Sequence, residues 1–160
     1  MKTLDGSKVK NAKKSIFDGL SFDSNLELFT YKQLKLASIN NFGRESWVVP
    51  LIDAFVFSGT AVESHLKIIK GTKKKRVVLE EVTNKIRPMT YKPDFVCIDK
   101  NKVGWVIECK GWGNDGWPNK RKLFKQFLTI NNFKVDYFEP NDQKNVLKVV
   151  EIIKNKYYKL

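Results

Sequence analysis

Two apolar segments on either side of a short polar turn constrain this sequence most. Residues 91–98 and 103–110 are rich in aromatic and β-branched side chains, and Asp99-Lys-Asn-Lys connects them. This pattern is typical of an antiparallel hairpin. If the hairpin is centred on Asn101, the pairing places Asp94 directly opposite Glu108.

The charged side chains of the second segment share one face. Side chains two residues apart in a strand point to the same side, so Glu108 and Lys110 project together. Trp105, Ile107 and Cys109 point to the other side, which is expected to pack in the core. Two carboxylates and one ammonium group are therefore predicted to converge on the sheet.

This trio of charges indicates metal-dependent hydrolysis. Two carboxylates held close together repel each other, and a hard divalent cation with oxygen ligands relieves that repulsion. Such a cation lowers the pKa of bound water and stabilises the charge that develops in phosphodiester hydrolysis. Asp94 and Glu108 are predicted to bind Mg²⁺, with Mn²⁺ able to substitute, and Lys110 to orient or deprotonate a water.

The charge of the chain indicates its partner. Thirty Lys and Arg against 17 Asp and Glu give a net charge of +13, which favours nucleic acid. The apolar runs are shorter than the ~20 residues of a membrane span, so no membrane partner is expected. The first residues contain no secretory pattern, and a cytoplasmic location is expected. Two cysteines and one histidine are too few for a structural zinc site.

The chain is predicted to carry a basic, flexible N-terminal arm over residues 1–15 and one domain over residues 16–160. Helices are predicted over about residues 24–37, 119–130 and 143–157. Strands are predicted over residues 77–83, 91–98, 103–110 and 133–138, the first three as a meander. The fold class is therefore α/β, with a mixed sheet flanked by helices. Residues 40–75 receive no assignment.

The first helix has a clear start signal. Ser24 and Glu27 have the spacing of a capping box. The apolar helical pattern that follows is formed by Leu26, Phe29, Leu34 and Leu36.

The motifs resemble a nuclease signature. Pro93-Asp94 followed by Glu108-Cys109-Lys110 resembles the PD-(D/E)xK superfamily, and the element order resembles its restriction-endonuclease-like αβββαβ core with an extra C-terminal helix. Tyr91-Lys92-Pro93-Asp94-Phe95, Glu108-Cys109-Lys110-Gly111 and the early Glu27 are similar to phage Holliday-junction resolvases of the endonuclease I kind. The resemblance implies that Glu27 joins Asp94 and Glu108 at the metal, and that the protein cuts branched DNA in recombination as a homodimer.

Several alternatives stay open. Glu27 is also explained as a capping residue alone. An enzyme of the same fold that acts on duplex ends or specific sites, as restriction and transposon nucleases do, is the second interpretation. A non-catalytic DNA-binding module is the third, and an RNA substrate is a further alternative.

Basic and aromatic residues outside the trio supply candidate contacts. Phosphate contacts are predicted for Lys13, Lys14, Lys73, Lys74, Lys75, Arg76, Lys120, Arg121 and Lys122. A solvated surface is the alternative for each of them. Trp112 and Trp117 are placed to stack on bases or to pack at the edge of the core. The apolar stretch 47–57 is the predicted dimer surface.

Overall fold

The protein is a mixed α/β structure in the computed structural model, which describes residues 14–110 and 116–158. The helices of this part are α1 (Asn25–Leu36), α2 (Trp117–Ile130) and α3 (Gln143–Tyr157). The first strands are β1 (Ser15–Phe17), β2 (Leu20–Phe22), β3 (Gly43–Arg44), β4 (Val49–Ile52), β5 (Phe55–Val56) and β6 (Val62–Ile68). The others are β7 (Lys75–Glu81), β8 (Lys85–Ile86), β9 (Met89–Tyr91), β10 (Phe95–Ile98), β11 (Val103–Ile107) and β12 (Lys134–Phe138).

The described chain divides into two compact units. Residues 50–91 form one of them, called the ribbon unit below, and the remaining described residues form the core unit. The predicted arm over residues 1–15 lies outside the described residues except at its end, where Ser15 begins β1.

The core unit contains a mixed sheet, as predicted. Its strand order is β12-β11-β10-β3, with β11 and β12 parallel and the other neighbours antiparallel. Phe95 pairs with Ile107 and Ile98 with Gly104. This register confirms the hairpin centred on Asn101.

One face of the sheet packs against α1 and α3. Trp105, Ile107 and Cys109 are buried on this face, as the alternation predicted. The helices contribute Tyr31, Leu34, Val146, Val149, Val150 and Ile153 to the same apolar cluster. These side chains recur at helical spacing, which is why each helix buries one stripe.

The opposite face packs against α2. Phe124 of this helix lies 5.7 Å from Tyr137 and 5.8 Å from Trp47, measured between ring centroids. Trp47 also lies 5.3 Å from Phe133. Trp47 is thus packed within the core unit, whereas most of the predicted dimer surface over residues 47–57 is exposed, and that surface stays a prediction. Helices therefore cover both faces of the sheet.

The start of α1 follows the predicted capping box. Ser24 accepts a hydrogen bond from the backbone nitrogen of Glu27 at 3.1 Å. The apolar face was partly mispredicted, because Leu36 is 77% exposed while Leu34 is buried. The helix buries Glu27, Thr30, Tyr31 and Leu34, a stripe at spacings of three and four that leaves Leu36 outside.

The predicted three-strand meander is wrong. Residues 77–83 were placed beside β10, but β7 pairs antiparallel with β6, and β3 is the neighbour of β10. The ribbon unit contains this hairpin together with the pairs β4-β9 and β5-β8. The predicted strand over residues 91–98 is also divided, because Pro93 has no amide hydrogen to contribute to a ladder.

Within residues 14–110 and 116–158, no helix combines the length and apolar character needed to cross a membrane.

Candidate active site

The open end of the β10-β11 hairpin brings Asp94 and Glu108 together. The paired positions end at Phe95 and Ile107, and Asp94 and Glu108 are the next residues on the two strands. The backbone nitrogen of Cys109 donates to Asp94 Oδ2 at 2.6 Å. On the β12 side of β11, the backbone nitrogen of Glu108 donates to Phe138 O at 2.9 Å, which continues the pairing of these two strands. The carboxylate of Asp94 and the backbone of Glu108 are therefore each held by a neighbouring residue.

Asp94 is an unfavourable place for a negative charge. Burial raises the pKa of Asp94 to about 8, and the nearby charges of Glu108 and Glu27 act in the same direction. The hydrogen bond from Cys109 and the charge of Lys110 oppose this increase without cancelling it. The carboxylates thus lie within electrostatic reach of one another, and a cation near them would offset their repulsion.

Lys110 is held against the buried carboxylate of Glu108. Lys110 Nζ lies 2.8 Å from Glu108 Oε1, and Glu108 is only 3% exposed. Burial acts to lower the pKa of Lys110, but the charge and hydrogen bond of Glu108, with Asp94 and Glu27, outweigh burial and raise it. The side chain is therefore an ammonium cation at neutral pH. This state suits orienting a water or phosphate oxygen rather than removing a proton.

A network behind Lys110 fixes the other side of its ammonium group. The ring of Trp117 lies 4.6 Å from Lys110 Nζ, a cation–π distance. Trp117 Nε1 donates to Glu139 Oε1 at 2.9 Å, and Tyr137 Oη donates to Glu139 Oε2 at 3.1 Å. Arg121 Nη1 lies 3.2 Å from the same carboxylate. Trp117 therefore packs against Lys110 and holds its ammonium group in place, in agreement with the packing alternative. Trp112 lies outside the described residues.

Glu139 is stabilised as an anion by these donors. Burial acts to raise the pKa of Glu139, but hydrogen bonds from Trp117, Arg121 and Tyr137 lower it below its ordinary value. The ring of Trp117 is thus anchored by a charge-assisted hydrogen bond.

Glu27 lies at the start of α1, buried and hydrogen-bonded to its own cap. Ser24 Oγ donates to Glu27 Oε1 at 3.0 Å, and the nitrogen of Asp23 donates to Glu27 Oε2 at 3.2 Å. Burial raises the pKa of Glu27. The capping role is therefore present, and its charge also contributes to the raised pKa of Asp94.

Cys109 belongs to the core rather than to the charged group. Its Sγ lies 3.3 Å from Thr30 Oγ1, and burial raises the pKa of the thiol. A neutral thiol is a poor metal ligand and a poor nucleophile. Any ligand for a cation here must be an oxygen.

The fit to Mg²⁺ depends on the Asp94 and Glu108 pair. In the part of the chain that the structure describes, no group of three or more His, Cys, Asp and Glu side chains is arranged to hold a metal ion. Mg²⁺ usually binds through one or two carboxylates, with waters and substrate phosphates completing its shell. Two crowded carboxylates at the open end of one hairpin match this mode of binding.

The predicted phosphate contacts lie in several places. Lys14 is 3.6 Å from Asp23, and Arg121 is paired with Glu139 as described above. Lys120 and Lys122 are exposed on α2. Lys73, Lys74, Lys75 and Arg76 lie in the ribbon unit, exposed at the end of the β6-β7 hairpin. Lys13 lies outside the described residues.

Sequence reasoning missed Glu139 and Tyr137. A strand, a helix and a second strand in succession are typical of parallel pairing, and the ends of parallel strands meet at one edge. Ile107 does pair with Phe138, so Glu139 follows β12 beside the position of Glu108. The order β11-α2-β12 was therefore the signal that identifies this acid.

Comparison of the chain with protein-family models, with curated proteins and with solved structures finds no match. The functional inference therefore depends on the geometry and charge of the site.

Proposed function

We propose that the protein is a Mg²⁺-dependent endodeoxyribonuclease of the PD-(D/E)xK type. The observation that carries the proposal is the hairpin register, which sets Asp94 opposite Glu108 while Lys110 Nζ lies 2.8 Å from Glu108 Oε1. The elements α1, β3, β10, β11, α2 and β12 have the chain order of the restriction-endonuclease-like αβββαβ core. Their sequence motifs resemble that superfamily at the same positions.

The residues have separate roles in this proposal. Asp94 and Glu108 hold the cation through carboxylate oxygens, and Glu27 adds negative charge from the start of α1. A bound Mg²⁺ supplies Lewis acidity and a water of lowered pKa. Lys110 keeps its proton, and its ammonium group orients water and attracts the scissile phosphate. Glu108 and the ring of Trp117 fix the direction of that group.

The proposed substrate is branched DNA, and the working form is a homodimer. A net charge of +13 suits a polyanion, and the motifs around Asp94 and Glu108 are similar to those of junction resolvases. A four-way junction needs two symmetry-related cuts, while each chain offers one Asp94-Glu108-Lys110 trio. Two copies acting together satisfy that requirement.

A cleavage assay tests the proposal. Labelled four-way junction, flap, duplex and single-stranded DNA, and a labelled RNA, are incubated with the protein in Mg²⁺ or EDTA. Cleavage is expected in Mg²⁺ alone, with the junction cut fastest. Asp94→Asn and Glu108→Gln are expected to lower the rate at least about 10²-fold while DNA affinity stays equal or rises.

A matched control separates the site from a general loss of acidic charge. Glu151→Gln changes an exposed acid on α3 and is expected to cleave like the wild type. Full activity in Asp94→Asn or Glu108→Gln contradicts the site assignment. DNA binding without cleavage in any metal would instead support the non-catalytic module, and preference for linear duplex would support the restriction or transposon type.

A further inference from the structure

The β6-β7 hairpin has one apolar face and one polar face. Its register runs from Val62 opposite Glu81 to Ile68 opposite Lys75, so alternate pairs share a face. The apolar face carries Val62, Leu66, Ile68, Val77 and Leu79, called the apolar stripe below. These five side chains are between 52% and 70% exposed.

The other face of the hairpin carries mostly polar side chains, three of which form ion pairs. Glu80 forms ion pairs with Lys67 and with His65, the latter at 3.2 Å. All three side chains lie on the face opposite the apolar stripe. The hairpin therefore concentrates its unburied apolar surface on one side.

An uncovered apolar stripe on a two-stranded hairpin is physically unfavourable. A lone hairpin is at best marginally stable in water, and it needs another layer against its apolar face. Contiguous exposed apolar surface of this kind marks an interaction site.

The pattern on this face is complementary to itself. Glu81 lies at one end of the face and Lys75 at the other, with the apolar stripe between them. We propose that a second copy of the chain packs on this face with its hairpin reversed. A twofold axis that crosses the strands then sets each strand against its own copy. Glu81 meets Lys75 of the partner at both ends, and Leu79 meets Val77 near the axis.

The parallel arrangement is disfavoured by the same charges. It would place Lys75 of one copy beside Ile68 of the other, and it would leave Glu81 against Val62. It would also bring two turns together, each with Lys70, Lys73 and Lys74. Like charges in contact are destabilising, so the reversed arrangement is the one that the sequence supports.

The size of the face sets the expected affinity. Seven residues in each strand span about 24 Å, and two such faces stack about 10 Å apart. This contact is smaller than that of a permanent dimer, which places it among weak interfaces. We expect a dissociation constant of about micromolar order. The inference assigns a surface to the homodimer of the nuclease proposal, and it is tested separately from cleavage because no DNA is needed to measure it.

Sedimentation equilibrium of the full chain from about 1 to 100 μM tests the interface. The wild type is expected to change from monomer to dimer over this range. Leu79→Lys puts a charge in the middle of the stripe and is expected to weaken the dimer at least about tenfold. Glu63→Lys makes a larger charge change on the polar face and is expected to leave association unchanged. Circular dichroism checks that both variants fold.

A charge exchange tests the reversed register. Lys75→Glu is expected to weaken the dimer, and Lys75→Glu combined with Glu81→Lys to restore it. The two positions are six residues apart on one strand, about 20 Å, so rescue must arise between copies. A wild type that stays monomeric, or a Leu79→Lys variant that dimerises normally, overturns the proposal. Stronger association of Lys75→Glu overturns the reversed arrangement. A monomer whose DNA affinity falls in Leu79→Lys would identify the stripe as a DNA contact instead.

Discussion

The side chain of Asp94 is held in place, yet its surroundings disfavour its negative charge. Its carboxyl group accepts a hydrogen bond from Cys109, yet burial and the charges of Glu108 and Glu27 raise its pKa to about 8. Ionisation of Asp94 is therefore expected to destabilise the fold. Such a conflict between folding and charge is typical of functional positions.

Asp94→Asn is expected to stabilise the protein in EDTA. The ordinary pKa of 3.8 applies to the unfolded chain and about 8 to the folded one, so the folded state binds the proton more tightly. Wild-type stability therefore falls as pH rises between these values, whereas the Asn variant has no proton to lose. The stability gain of the Asn variant should start near the lower value, grow as pH rises and level off above the higher one.

Urea denaturation of both proteins in EDTA at several pH values measures this gain. Glu151→Gln is the control, because its exposed side chain should not introduce the same dependence. A constant difference between wild type and Asp94→Asn across the pH range would show that Asp94 ionises normally. Added Mg²⁺ is expected to stabilise the wild type more than the variant at neutral pH.

Trp117 is expected to act on the rate through Lys110. Trp117→Phe keeps an aromatic ring near the ammonium group but loses the hydrogen bond to Glu139, whereas Trp117→Leu loses both. We expect kcat to fall about tenfold in the Leu variant and less in the Phe variant, with KM for DNA little changed. Single-turnover kinetics separate the two constants. An equal loss in both variants would assign the effect to the hydrogen bond alone.

The hairpin of β10 and β11 was the most predictable element. The apolar alternation and the polar turn determined both its strands and its register, and Trp105 and Ile107 point to the core as expected. The partner of β7 was not predictable in the same way, because alternation indicates a strand without identifying its neighbour. Long-range pairing depends on which edges remain free after the chain folds.

In the candidate site too, some residues were predictable from local sequence pattern and others depend on long-range strand pairing. Asp94, Glu108 and Lys110 follow from one hairpin and a spacing of two, which local pattern determines. Trp117 and Glu139 reach Lys110 only through the parallel pairing of β11 with β12. That pairing is a property of the sheet, so a residue-by-residue reading misses it.

The close packing of β10 against β11 requires glycine at position 104. A Cβ atom at this position would lie 1.9 Å from Cys97 O and 2.8 Å from the Cα of Ile98, both backbone atoms. Gly104→Ala must therefore push the two strands apart, and we expect a loss of roughly 1–3 kcal/mol. Chemical denaturation measures it. Gly19→Ala is not a suitable control, because its φ of +71° adds strain of another kind.

A control of similar size is Ser58→Ala, an exposed position in the loop before β6. It removes one hydroxyl group and should change stability little. If Gly104→Ala were as stable as wild type, the close approach of β10 to β11 would be wrong.

The whole molecule carries its positive charge in several separate regions. The N-terminal segment, the turn between β6 and β7, and α2 each contain several lysines. Binding to DNA is therefore expected to depend on all of them, and affinity should fall steeply with salt.

Removal of residues 1–14 is expected to flatten that dependence. Each lost phosphate contact lowers the slope of log affinity against log salt by about 0.9. Fluorescence anisotropy with a labelled junction at several salt concentrations gives the slope. A full-length variant with Ser in place of the lysines of this segment separates the effect of charge from that of length. An unchanged slope in both the truncated chain and this variant would show that the segment does not contact DNA.

From the order of elements along the chain, the molecule is also expected to tolerate a break. The segment before the ribbon unit supplies α1 and β3, and the segment after it supplies α2, α3 and β10 to β12. A single proteolytic cut in the lysine-rich turn between β6 and β7 leaves two fragments, neither with a complete hydrophobic core. The packing of α1 on α3 and the pairing of β3 with β10 hold such fragments together. Glu27 comes from one fragment and Asp94, Glu108 and Lys110 from the other, so the site is of the kind that two separately produced halves rebuild by complementation.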